Sequence, residues 1–137
     1  MKPVFIEPIA NKEDGDCCIA CLVMWTGRSY QEVIAAAPAK AYKQGMTNTA
    51  VVETAAKLGA TLVKVRKFDL YEDDGILMLN PDPKKKGRFS HAVLLINGAV
   101  LDPFNNRFWL DVEVYMKTER YKVGELLMFP KPKEEQT

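Results

Sequence analysis

Two apolar runs, His91–Ile96 and Ala99–Asp102, are separated only by Asn97-Gly98. Asn-Gly supplies both positive-φ residues of a type I′ turn, whose twist matches the strands it joins, so the stretch predicts a tight antiparallel hairpin. A two-residue turn also fixes register: Ile96 faces Ala99, Leu94 faces Leu101 and Val93 faces Asp102. Side chains alternate along a strand, so His91 shares a face with Val93 and hence with Asp102. The chain's single histidine thus stands diagonally across from a carboxylate, within reach of a hydrogen bond. Such a bond fixes the imidazole tautomer and stabilises its charged form.

Far upstream, the polar stretch Asn11–Asp16 runs into Cys17-Cys18-Ile19-Ala20-Cys21. Asp16 is a suitable N-cap for a helix from Cys17 to about Thr26, and Gly27 a natural stop. Cys18, Cys21, Leu22 and Trp25 form one stripe, widened by Ile19 and Val23, so the helix is expected to be central. A thiol at Cys17 then sits on the first helical turn, where unpaired backbone N–H groups and the helix dipole favour thiolate. A cysteine on a helix start and a histidine on a distant strand form the layout of a thiol enzyme with a remote base.

Plainer readings stand beside this one. Cys17 reads equally as an inert small core residue, and His91 as a histidine bonded to an acid without chemistry. Cys18 and Cys21 read as core. A Cys18-x-x-Cys21 redox pair lacks the flanking Trp or Pro of thioredoxin-like sites. Zinc on three cysteines and one histidine is disfavoured because Cys17 and Cys18 diverge by about 100° on a helix.

The remaining pattern places these groups. Residues 4–9 suit a short edge segment. Ser29 and Glu32 form a capping box for a second helix ended by Pro38. Residues 39–46 read as a basic, polar connection. Thr47, Asn48 and Thr49 offer caps for a helix from Ala50 to Leu58, closed by Gly59. Thr61–Phe68 and Ile76–Leu79 read as strands, and 81–88 as an exposed loop whose three lysines are a solvated tip. Phe108–Leu110 reads as a further strand or the lead into a short helix near 111–117, and Lys122–Phe129 as the last strand. Helices first and antiparallel strands after give an α+β fold, one domain over 1–130 with a disordered tail at 131–137.

Composition narrows the function classes. The 137 residues suffice for one core, and a net charge of +1 with interspersed signs offers no polyanion-binding surface, so no nucleic-acid partner is expected. Three cysteines within five positions cannot staple distant segments, which favours a reducing compartment. Pro3, Glu7 and Pro8 interrupt the apolar start, and no run reaches a membrane span. The expectation is a cytoplasmic protein with no membrane partner and no cofactor.

Several of these segments together carry a resemblance. Asn11 six residues before Asp16-Cys17, a helix ending Trp25-Thr26-Gly27, Gly45 ahead of Val51–Gly59, then Ser90–Ile96 and Leu101-Asp102-Pro103 resemble the bacteriocin-processing peptidases. These are the double-glycine leader peptidases of the papain-like superfamily, and the similarity runs over most of residues 8–104. It implies a papain-like cysteine peptidase fold, with Cys17 as nucleophile, His91 as general base and acid, and Asp102 as orienting carboxylate. Asn11 occupies the place of the family's oxyanion glutamine, keeping the amide donor but one methylene shorter. Cys18 stands where the family usually has glycine. The implied activity is cleavage after a small residue such as glycine in a peptide or protein with a Gly-rich tail. A binding module that holds such a tail without cutting it, and a redox sensor built on Cys17, Cys18 and Cys21, are the competing classes.

Overall fold

The computed structural model describes residues 15–81, 90–104 and 107–130. Asn11, the edge segment at 4–9, the lysine tip of the 81–88 loop and the 131–137 tail lie outside the described residues.

Helix α1 (Cys17–Thr26) ends at Gly27, whose φ of 73° is left-handed and carries no Cβ penalty in glycine. It is apolar nearly all round, and Ile19, Ala20, Cys21 and Leu22 are wholly buried. Asp16 occupies the N-cap position but does not cap with its side chain. Its carboxylate Oδ2 instead accepts a 2.6 Å hydrogen bond from the Tyr30 hydroxyl, tying the start of α1 to α2 (Tyr30–Ala36). The Ser29 capping box is present in both directions, Glu32 N to Ser29 Oγ at 3.1 Å and Ser29 N to Glu32 Oε1 at 3.2 Å.

The stretch read as a plain connection at 39–46 contains a one-turn helix, α3 (Ala41–Gln44), which is a correction. Its approach through Lys40 at φ 62° and its exit through Gly45 at φ 84° are left-handed, so no apolar period marks it. The turn is held from outside: Gly15 lies so close that a Cβ there would strike the Lys43 carbonyl. Helix α4 (Asn48–Lys57) follows, its first turn capped by Thr47 Oγ1, which accepts from Ala50 N at 3.1 Å.

The strands are β1 (Val63–Val65), β2 (Gly75–Pro81), β3 (His91–Ile96), β4 (Ala99–Asp102), β5 (Arg107–Trp109) and β6 (Tyr121–Met128), with α5 (Val112–Glu119) between the last two. They form an antiparallel sheet in the order β1-β6-β2-β3-β4-β5. The molecule is thus α+β, with helices against an antiparallel sheet. The strand expected over 61–68 pairs only from Val63 to Val65, against Met128 to Leu126 of β6; its start at Val63 coincides with the end of β6 at Met128. Asn97 and Gly98 have φ of 51° and 77°, and the ladder pairs Ile96 with Ala99 and Leu94 with Leu101 as expected.

Both sheet faces are covered. Ile76, Ala92, Leu94 and Leu127 pack with α1 in one core. Leu77, Val93, Leu95, Val100 and Leu126 pack with Val112 and Tyr115 of α5 in the other. A strand buried on two faces has no need to alternate, which is why Ala92–Leu95 is continuously apolar. At the rear of α1, Trp25 stacks on Phe129 with centroids 4.2 Å apart and planes within 8°. Among the described residues, no helix is long and apolar enough to cross a membrane.

Candidate active site

Two backbone starts meet at one end of the sheet. Cys17 is the first residue of α1 and His91 the first of β3, and α1 packs directly against β3. The first intrahelical bond of α1 runs from Ala20 N to Asp16 O at 2.9 Å. The N–H groups of Cys17, Cys18 and Ile19 therefore have no partner within the helix and point out of its positive end.

The His91 ring is held from two sides. Nε2 lies 2.7 Å from Asp102 Oδ1, with the side chains only 13% and 8% exposed. This is the contact that the hairpin register placed within reach. The ring also lies close enough to the Cys17 sulfur that each group shifts the ionisation of the other. With Nε2 committed to the carboxylate, Nδ1 is the nitrogen left for sulfur. The Asp102 carboxylate is fully engaged: Oδ1 also accepts from Phe104 N at 2.9 Å, and Oδ2 from the Tyr115 hydroxyl at 2.8 Å. Tyr121 stacks on the imidazole at 5.6 Å and 22°.

The electrostatics favour a thiolate–imidazolium pair. The Cys17 thiol is held well below its ordinary value, first by the Cys18 S–H that donates to it, then by His91 and the Ala92 backbone N–H, while burial opposes them. Burial pushes His91 down, but the Asp102 carboxylate and the Cys17 sulfur outweigh it and raise the ring to about 9. Cys18 is raised well above its ordinary value, first by its hydrogen bond to Cys17 and then by burial. Burial raises Cys21 as well. One sulfur of three is thus prepared to ionise, and all three are free. Among the described residues, no group of three or more His, Cys, Asp or Glu is arranged to hold a metal ion.

Cys17 is half-buried, at the foot of a cavity of about 390 Å³ lined by Cys18, Gln44, Met46, Met78 and His91 among others. The structure thus brings Cys17, His91 and Asp102 together, while Asn11 lies outside the described residues. Cys18, read as core, is buried yet also lines this cavity. Tyr115 and Tyr121 escape sequence reasoning, since no local pattern sets either against a carboxylate or an imidazole.

Replacing Tyr115 with phenylalanine removes one of three donors from Asp102 and frees the carboxylate to rotate. We expect kcat on a cleavable peptide to fall about tenfold with KM unchanged. The His91 ring N–H proton, unique in the chain, should broaden in the NMR spectrum while the unfolding midpoint moves only a few degrees. An unchanged kcat with a sharp ring proton would show that Tyr115 does not position the pair.

Compared with protein-family models and with curated proteins, the chain gives no match.

Proposed function

We propose that this chain is a cysteine peptidase of papain-like fold, cleaving a peptide bond after a small residue such as glycine. The observation that carries the reading is the half-buried Cys17 sulfur at a helix N-terminus, electrostatically coupled to an imidazole that Asp102 holds by Nε2 at 2.7 Å. The likeness to double-glycine leader peptidases supports the same assignment and supplies the preference for glycine. A thiol nucleophile also fits a reducing, cytoplasmic setting.

The thiolate of Cys17 attacks the substrate carbonyl carbon, and the resulting oxyanion is met by the Cys17 N–H, which has no partner within the helix, and, as the family likeness implies, by the Asn11 amide. The tetrahedral species collapses to a thioester as the C–N bond breaks and the His91 imidazolium gives its proton to the departing amine. Neutral His91 then takes a proton from water, whose oxygen attacks the thioester. The carboxylic acid leaves, Cys17 returns as thiolate and His91 as imidazolium. Asp102 keeps its charge throughout and holds the ring by Nε2.

Quenched-fluorescent peptides carrying Gly-Gly at the centre test the reading. The expected result is a cut after glycine, a Cys17 acyl adduct seen by mass spectrometry at low pH, and no cut by Cys17→Ala. Peptides left intact by a chain whose Cys17 alkylates no faster than free cysteine would overturn it. Tight binding of the same peptides without cleavage would instead identify a tail-binding module.

A further inference from the structure

The cavity over Cys17 does not end there. A second cavity, of about 610 Å³, shares Met46, Thr47, Met78 and Ser90 with it, so the two are one groove. The groove runs between the start of α4 and the end of the sheet, and its far part is lined by Asn48, Arg66 and Glu125. Gly124, which also lines it, lies so close to β2 that a Cβ would come 2.7 Å from the Met78 carbonyl oxygen.

Glu125 is the fixed group at that end. Its side chain is 19% exposed, and Oε1 accepts a 2.6 Å hydrogen bond from Asn48 Nδ2. Glu125 lines the groove, and its Oε2 has Arg66 Nε at 3.7 Å, beyond hydrogen-bond range, from a side chain that is itself 90% exposed. A carboxylate pinned on one oxygen and only loosely countered on the other is a receptor for a hydrogen-bonding cation. The exposed Arg66, on a long side chain, moves aside at little cost.

The topology sets the reach. His91 opens β3, which pairs with β2, which pairs with β6, the strand of Glu125. Two strand spacings are roughly 10 Å, or three to four residues of extended peptide. We infer that the groove is a specificity subsite in which Glu125 selects a substrate with a lysine or arginine three to four residues from the scissile bond. The methionines Met46 and Met78 line the passage between and favour small or apolar residues there. This rests on the peptidase reading for its substrate and on the groove alone for its charge preference.

The test uses the full chain and sets of Gly-Gly peptides with a single Lys, Gln or Glu three or four residues from the Gly-Gly on either side. Cleavage is measured with the native chain, and binding of fluorescein-labelled copies with Cys17→Ala. Lys is expected to exceed Gln about tenfold at one position, in kcat/KM and in affinity. Glu125→Gln, which keeps the bond to Asn48, should bring that ratio to near one, and Arg66→Ala should raise it by removing the competing cation. Equal handling of Lys and Gln, a preference that survives Glu125→Gln, or a preference for Glu that disappears in Arg66→Ala would each overturn the subsite. Cleavage without charge preference sinks the subsite and leaves the peptidase standing. Glu125-dependent binding of the Lys peptide with no cleavage of any peptide does the reverse.

Discussion

Alkylation of Cys17 by iodoacetamide at pH 6.5 is expected to slow roughly 10- to 100-fold when His91 is replaced by alanine. At that pH an ordinary thiol is about 1% ionised, so complete ionisation sets a ceiling of about 100-fold, and the thiol beside His91 is held well below its ordinary value. Two effects reduce it. A low-pKa thiolate is intrinsically the weaker nucleophile, and in the variant the Cys18 S–H and the Ala92 N–H still support the anion. Adding Cys18→Ala to His91→Ala should therefore move the acid limb of the alkylation profile further towards the ordinary thiol value. Peptide cleavage should fall much more, about 10³-fold or beyond, because the leaving amine also loses its proton donor. Equal alkylation of native chain and variant at pH 6.5 would mean that no imidazolium holds the thiolate.

The second large effect concerns Asp102→Asn. On the proposed peptidase mechanism, activity needs Cys17 deprotonated and His91 protonated. Its window opens as pH rises through the depressed Cys17 value and closes as pH rises through about 9, where His91 loses its proton. Asparagine removes the negative charge that offsets burial, so the His91 value falls and the upper limb moves to lower pH. A weaker imidazolium supports the thiolate less, so the lower limb moves up. The limbs converge and the plateau collapses, with kcat lower by about 10²- to 10⁴-fold. The single histidine makes the cause directly readable, since its ring protons titrate alone in the NMR spectrum. A ring that still titrates near 9 in Asp102→Asn would sever the carboxylate from the mechanism.

The sequence made the sheet side of this site the more legible. Asn97-Gly98 specifies a turn of known length, and turn length converts directly into who faces whom, so the His91–Asp102 contact followed from counting. Gly27, the Ser29–Glu32 box and Thr47 marked helix ends for the same local reason. What stayed hidden depends on contacts between distant segments. Asp16 has the composition of a cap but spends its carboxylate on Tyr30, which no local pattern announces. Helix α3 is a single turn, too short for an apolar period, closed by Gln44 N to Lys40 O and Gly45 N to Ala41 O, with Gly15 packed against Lys43. Tyr115 carries no local signal of its role, and only the packing of α5 against β4 brings its hydroxyl to Asp102.

The rear anchor of α1 has a mechanical consequence. Cys17 and Trp25 stand at opposite ends of one rigid rod, about 12 Å apart at 1.5 Å per residue. The flat clamp of Trp25 on Phe129 is therefore a fulcrum, and the sulfur is the tip of the lever. A rocking of about 5° at the clamp swings the tip by roughly 1 Å, a misplacement that in enzymes can cost about 100-fold in rate. The reach of the thiol across to its imidazole is thus calibrated at the far end of α1, in a pair of stacked rings remote from the sulfur.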